Sequence, residues 1–268
     1  MLRGFYTVAS GMQAQQRRQE VLSNNMANVN TPGYKADDAA IRAFPEMLTY
    51  HMGKKTIPVS HSFNIPVNEQ IGSFNTGVYV QETIPNHAQG DIRETNVSTD
   101  LALVNGKVPD ETGSLFFTVQ LENGDTAYTR NGHFTVDQDG YLTAGSGHYV
   151  LDSAGNRIQT DGMTFTVSSN GVVTTAAGNT AELGMSYAAD ANDLVKDDYG
   201  FFTGDAGEVP AGAEFTIQQG ALEGSNVDAM QTMTEMMSAY RSFEMNQRVL
   251  KAYDQSMGKA VSEIGRIG

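Results

Sequence analysis

ANVNTPGYK, residues Ala27–Lys35, closes a long amphipathic stretch that starts with the first residues of the chain. Asn28 and Asn30 can satisfy terminal backbone groups of a helix with their side chains, and Pro32 stops any continuation because it has no N–H to donate. Thr31-Pro32-Gly33-Tyr34 fits a type II turn, in which Gly33 takes positive φ without steric cost and Tyr34 can anchor the bend by packing. A plain helix stop accounts for the stretch locally. Its position suggests more: an elbow made of Asn25, Ala27, Asn28, Thr31, Pro32, Gly33 and Tyr34, joining an N-terminal helix to whatever follows.

Upstream of the elbow, Leu2, Phe5, Ala9 and Met12 fall three and four residues apart, and Leu22 and Met26 resume the stripe after a Gln/Arg-rich interval. That spacing predicts an amphipathic helix about 40 Å long at 1.5 Å per residue. The stripe has no partner nearby in sequence. The other end of the chain supplies one, because Ala229, Met236, Phe243, Leu250, Met257 and Ile264 recur at heptad spacing, with Met233, Tyr240 and Val261 flanking the seam. Asn226 and Asp228 sit where a helix start wants a side-chain acceptor. Methionine is abundant in this arm, at 230, 233, 236, 237, 245 and 257. It suits either a core filler or a helix that must pack against several non-identical neighbours.

Between the arms the periodicity changes. Phe134–Ile158 alternates in short runs broken by DQDG, AGSG and DSAGN, which predicts a hairpin series, and Phe165–Val167 and Val172–Thr175 repeat the pattern around Gly171. Further strands are expected at Leu115–Gln120 and Glu214–Gln218. Lys54–Gln81, with Pro58 and Pro66, reads as an extended connector. The expected fold is α+β: a helical arm at 1–35, a connector over 36–81, a β-rich middle domain at 82–222 and a helical arm at 223–268. The two terminal helices are expected to pair as a coiled-coil layer.

The chain has 268 residues, 40% of them hydrophobic, so it can bury a real core. Its net charge of -14 repels phosphate backbones and anionic lipid, which argues against nucleic acid and against direct lipid binding. The acidity is concentrated in the middle. Residues 1–35 set Arg3, Arg17, Arg18 and Lys35 against Glu20, and residues 223–268 are nearly balanced. Near-neutral ends can pack against copies of themselves while an acidic exterior keeps the particles soluble. There is no Cys, which excludes disulfides and thiolate metal sites. No apolar run of signal-peptide length follows Arg3, and no segment approaches the length of a membrane span.

Motifs for chemistry are weak. The five His, at 51, 61, 87, 133 and 148, form no pair at metal-ligand spacing. Asp137-Gln138-Asp139-Gly140 echoes the start of a calcium loop but lacks its later ligands, so a hairpin turn is the better reading. Ser256-Met257-Gly258-Lys259 spells SxxK without its companion motifs. Asp190, Asp193, Asp197 and Asp198 cluster, leaving open a carboxylate pair in an exported peptidoglycan-acting enzyme, although solvated loop charge explains them more simply. A non-polymerising adhesin or cap is a further alternative. No catalytic residue, cofactor or metal is expected.

ASGMQAQQRRQEVLSNNMANVNTPGYKAD (Ala9–Asp37) resembles the N-terminal signature of the bacterial flagellar axial proteins of rod and hook. LEGSNVD (Leu222–Asp228) and AYRSFEMNQRVLKAYDQSM (Ala239–Met257) are similar to that family's C-terminal arm. STDLAL (Ser98–Leu103) and YTRNGHFTVDQDGYL (Tyr128–Leu142) resemble its shared β-domain. The connector is most similar to that of distal rod proteins, while VNGKVPDETGSLFF (Val104–Phe117) is longer than the link common in relatives. The resemblance implies a structural subunit of the basal-body rod, with a hook subunit as the alternative. It implies export through the flagellar type III apparatus without a cleaved signal, then polymerisation into a torque-transmitting helical tube. The implied partners are copies of itself, other rod and hook proteins and the export machinery.

Overall fold

The computed structural model describes residues 2–57, 63–110, 112–145, 147–197 and 199–266, with the backbone alone at 2, 51–57, 63–69, 71 and 264. Helix α1 (Leu2–Ala27) and helix α2 (Ala229–Ile264) bracket a β-rich middle, so the chain is α+β. It divides into two compact units. One comprises Met1–Ser23, Ala39–Thr83 and Met233–Gly268, and the other comprises Asn24–Asp38 and Ile84–Thr232.

In the first unit the helices meet running in opposite directions. Gly4 faces Tyr253 and Gly11 faces Asn246; a Cβ on these glycines would lie 2.5 Å from Tyr253 Oη and 3.3 Å from Asn246 Nδ2. One turn short of the unit boundary, the Arg18 guanidinium sits 3.2 Å from the Glu235 carboxylate. On α2 the less exposed residues include Ala229, Thr232, Met236, Ala239, Phe243, Asn246, Leu250, Tyr253, Met257 and Ala260, a three-four alternation, with Glu235, Ser242 and Glu244 half-buried beside it. Half of this seam is the heptad series read from the sequence. The other half, at Thr232, Ala239, Asn246, Tyr253 and Ala260, is small or polar and carries no hydrophobic signal.

Residues 36–81, read from sequence as an extended connector, hold β-structure. Met47–Ile57 and Phe63–Phe74 form a long antiparallel ladder from Met47 opposite Phe74 to Ile57 opposite Phe63, with an irregularity at Thr49/Tyr50. Asp37–Ala43 pairs with Val78–Pro85. A two-stranded ladder has open outer edges, so Pro66, which cannot donate a ladder bond, does not exclude a strand there; Pro58 lies outside the described residues. Helix α1 binds the return of this segment. The Thr7 hydroxyl donates to the Thr76 carbonyl at 3.2 Å, the Val78 N–H donates to the Ser10 hydroxyl at 3.3 Å, and the Arg3 guanidinium lies 4.8 Å over the Phe74 ring.

The second unit is organised around Ser114–Gln120, which pairs with Thr126–Thr129, Tyr149–Val150 and Met185–Ala188. Six of its seven residues are buried. Leu115, Phe117 and Val119 enter a core with Leu101, Phe134, Leu142, Ile158 and Ile217, while Phe116 enters a second cluster with Tyr128, Leu194 and Phe202. Burial on both faces explains why SLFFTVQ shows a continuous apolar run in place of alternation. Phe134–Val136 and Leu142–Ala144 form a hairpin whose turn is DQDG, with Gly140 at φ +80. Phe215–Gln219 pairs with Leu101–Asn105, and Ala221–Glu223 pairs with Ile92–Glu94.

Candidate functional site: the elbow and its buried charges

Helix α1 ends at Ala27, and its last carbonyls are taken up locally: Asn28 N–H donates to Asn24 and Asn25, and Asn28 Nδ2 donates to the Asn24 carbonyl at 3.0 Å. The Thr31 hydroxyl then donates to Asn28 Oδ1 at 3.1 Å. Around Pro32 the chain turns tightly, with Tyr34 N–H donating to the Thr31 carbonyl at 3.3 Å and Gly33 at φ +67. Gly33 N–H donates to the Glu223 carbonyl at 2.8 Å. A Cβ at Gly33 would collide with the backbone of Arg130 and Asn131, so glycine is required both for its φ and for this approach.

Asn25 acts as a surrogate strand. Its Nδ2 donates to the Asp37 carbonyl at 2.8 Å and its Oδ1 accepts from Asp37 N–H at 2.9 Å and from the Tyr34 hydroxyl at 3.2 Å. The Tyr34 ring carries Lys196 Nζ 3.9 Å from its centroid, and that ammonium also binds Asp37 at 3.0 Å and the Lys35 carbonyl at 2.9 Å. Burial first, then the Asp37 charge, push the Tyr34 phenol well above its usual pKa.

Lys35 turns inward. Its side chain is 0% exposed, with Nζ 2.6 Å from Glu223 Oε1 and 2.8 Å from the Ala88 carbonyl. Glu223 Oε1 also accepts Gly90 N–H at 3.0 Å, and its other oxygen lies 3.5 Å from the equally buried Arg130 guanidinium. Arg130 also donates through Nη1 to the Leu103 carbonyl and through Nη2 to Asn105 Oδ1, while its Nε is buried without a partner. Burial pulls both the Lys35 ammonium and the Arg130 guanidinium below their usual ranges, and Glu223 acts to keep both charged. Asn226 closes the joint: its Oδ1 accepts Ala36 N–H at 2.8 Å and its Nδ2 donates to the Asn86 and Ala88 carbonyls. Asn226 is therefore a tie between segments. The helix cap is Asp228, whose Oδ1 accepts from Met230 and Gln231 N–H.

Of the residues expected in the elbow, Asn25, Gly33 and Tyr34 are buried, Asn28, Thr31 and Pro32 are half-buried, and Ala27 is exposed. Of the N-terminal packing residues, Leu22 is buried and Phe5, Ala9, Met12 and Met26 are half-buried, while the side chain of Leu2 is outside those described. Of the C-terminal ones, Met236, Phe243, Leu250 and Met257 lie in the seam; Met233 and Tyr240 stand beside it, each 55% exposed, and the side chain of Ile264 is outside those described. Lys35, Glu223, Arg130 and Lys196 escaped a reading by periodicity. An isolated Lys and an isolated Glu 188 residues apart announce nothing to each other in sequence.

The weaker chemical motifs resolve into structure. Asp190 caps the short 3-10 turn Ala191–Asp193 and Asp197 holds the Tyr199 and Phe201 N–H groups, with Asp198 outside the described residues. Ser256 and Lys259 are exposed on α2. Among the described residues no group of three or more acidic, His or Cys side chains could hold a metal ion, and no helix is long and apolar enough to cross a membrane.

The polar groups of the site bind other segments of the same chain, which is the arrangement of a structural joint. Three family descriptions match the chain: "Flagella basal body rod protein" at residues 5–35, "Flagellar hook protein FlgE/F/G D1 domain" at 112–175, and "Flagellar basal body rod FlgEFG protein C-terminal" at 218–263. The flagellar hook-basal body complex protein FlhO of Bacillus subtilis (strain 168) is 42% identical, with 100% of both chains covered. The flagellar basal-body rod protein FlgG of Borreliella burgdorferi is 30% identical over 97% of this chain and 98% of its own, and that of Agrobacterium fabrum is 29% identical over 98% and 99%. The chain belongs to the family of flagellar basal-body rod and hook proteins, structural proteins of the flagellar basal body. The enzyme reading of its acidic middle is accordingly dropped.

Proposed function

We propose that the protein is a subunit of the basal-body rod that polymerises, head to tail, into a helical tube transmitting torque to the hook. The observation that carries this reading is the pair of faces on α2. One face is the seam described above, whose geometry supports a coiled-coil layer of the two terminal helices. Beside it, Met233, Met237 and Tyr240 are more than half exposed, and an open groove of about 580 Å³ runs between Gln19 and Ser23 of α1 and Met236, Met237, Tyr240, Arg241 and Glu244 of α2. A contiguous apolar strip of this kind suits contact with neighbouring copies and with other rod and hook proteins.

In this reading both arms are loosely ordered before assembly and fold where apolar burial offsets the roughly 1–2 kcal/mol per residue that backbone ordering costs. Loose arms and the absence of Cys suit passage through a narrow type III export channel. The elbow then joins the inner helical layer, 1–35 with 223–268, to an outer shaft built from 36–222. Electron microscopy of the native basal body or of purified polymer tests this: a tube whose inner wall is formed by both arms is expected. Solid particles, or a tube with the arms outside, would count against it. Swimming that survives deletion of residues 1–35 would favour the adhesin or cap reading instead.

A further inference from the structure

His87 occupies an unusual place in the joint. Its ring packs edge-on to Phe116 at 5.9 Å between centroids and against Phe202 at 5.4 Å, and both ring nitrogens are buried with no hydrogen-bond partner. The strap on which it sits holds the elbow from both sides. Asn86 N–H donates to the Ala36 carbonyl at 2.7 Å, the Asn86 carbonyl accepts from Asn226, and the Ala88 carbonyl accepts from Lys35 and Asn226.

The charges acting on the ring are cations from three different segments: Lys35 of the elbow, Arg130 after strand Thr126–Thr129, and Lys196 of strand Val195–Lys196. The two carboxylates of the joint are engaged elsewhere, Glu223 by Lys35 and Arg130 and Asp37 by Lys196. On the Ala191–Asp193 turn, Asp190 caps the turn, neither Asp190 nor Asp193 acts on the ring, and only the Ala191 backbone favours its charged form. A proton on His87 would place another positive charge among three, in a buried aromatic setting where the Ala191 backbone alone favours it.

We propose that His87 is an acid-sensitive latch: when its imidazole takes a proton, the 86–88 strap leaves residues 34–36 and Asn226, and the elbow opens. Burial, then Lys35 and Arg130, hold the imidazole down to a pKa of about 4 from its ordinary 6.5, so the closed joint carries the neutral ring at neutral pH. Its folded value lies below the unfolded one. The latch is therefore fully effective above about pH 6.5 and fails as pH falls through about 4. This inference concerns the fold of the single chain and does not depend on the shaft reading.

Hydrogen exchange in the full-length chain, corrected for intrinsic rates, tests it at two reporter amides: Gly33, bonded to the Glu223 carbonyl, and Ala36, bonded to Asn226. Protection of both amides should fall about tenfold or more between about pH 7 and about pH 4.5 in the wild type, and much less in His87→Phe. His87→Gln, a neutral acyclic amide, provides a second non-titrating replacement if Phe disturbs folding. Should neither variant fold at neutral pH, the wild-type imidazole resonance decides, with a midpoint well below 5 expected. Unchanged protection in the wild type, an equal loss in a folded variant, or a His87 midpoint near 6.5 would overturn the proposal.

Discussion

At the scale of single residues, the joint depends on charges that cannot all be satisfied by one another. Two buried cations, Lys35 and Arg130, share one buried anion, Glu223. Removing the anion leaves both unpaired, whereas removing Lys35 leaves Glu223 with Arg130 and the Gly90 N–H. Glu223→Gln should therefore destabilise the chain by about 3–5 kcal/mol, and Lys35→Met should cost clearly less, as read from urea unfolding midpoints. Equal costs would show that Glu223 is not the centre of the cluster. Gly33→Val combines a β-branched residue at positive φ with a collision against the Arg130–Asn131 backbone. Its strain alone is about 1–3 kcal/mol. The expected phenotype is lost assembly and motility with the β-domain still folded; normal swimming would remove the elbow from the assembly account.

Among the elements, α2 is the one whose two sides can be separated by substitution. Ala239 is 3% exposed in the seam, so Ala239→Glu buries an unpaired carboxylate or its proton and should lower stability by several kcal/mol. Met233→Glu, at an exposed position, should change the stability of the isolated chain by only about 0.5 kcal/mol. If Met233 faces a neighbouring copy in the tube, the same substitution should nevertheless abolish polymer formation in a sedimentation assay. Polymerisation at wild-type levels would place the contact elsewhere. Gly4 and Gly11 follow the same logic from α1, since side chains there would push against Tyr253 and Asn246.

For the molecule as a whole, the proposed economy of the design is that assembly and folding of the arms are one event. Hydrogen exchange should find α1 and α2 weakly protected in the isolated chain and strongly protected in the polymer; full protection in the isolated chain would remove this coupling. The middle unit should behave differently, because it buries Leu101, Phe117, Phe134 and Leu142 at 0% exposure without help from a neighbour. Acid should weaken it through His87, whose charged form is disfavoured when folded, so the urea midpoint should drop as pH falls below 6.5. His87→Phe should flatten that slope, and an unaltered slope would assign it to carboxylates instead.

Local pattern sufficed for the helical arms, for hairpins such as Phe134–Val136 with Leu142–Ala144, and for the Pro-Gly turn, because each is written in spacing or in turn residues a few positions apart. Heptad recurrence also marked half of the α2 seam. The other half, Thr232, Ala239, Asn246, Tyr253 and Ala260, is set by proximity to a helix more than 200 residues away, and small or polar residues leave no hydrophobic trace. The ladder of Met47–Ile57 with Phe63–Phe74 was hidden for another reason: a proline such as Pro66 reads as a breaker until the strand is known to lie at an edge. Pairing of Lys35 with Glu223, and the seat of Arg130, Lys196, Asn226 and His87 around them, arose only in three dimensions. A single charge has no period, and its meaning depends on which distant charge the fold brings within hydrogen-bonding reach.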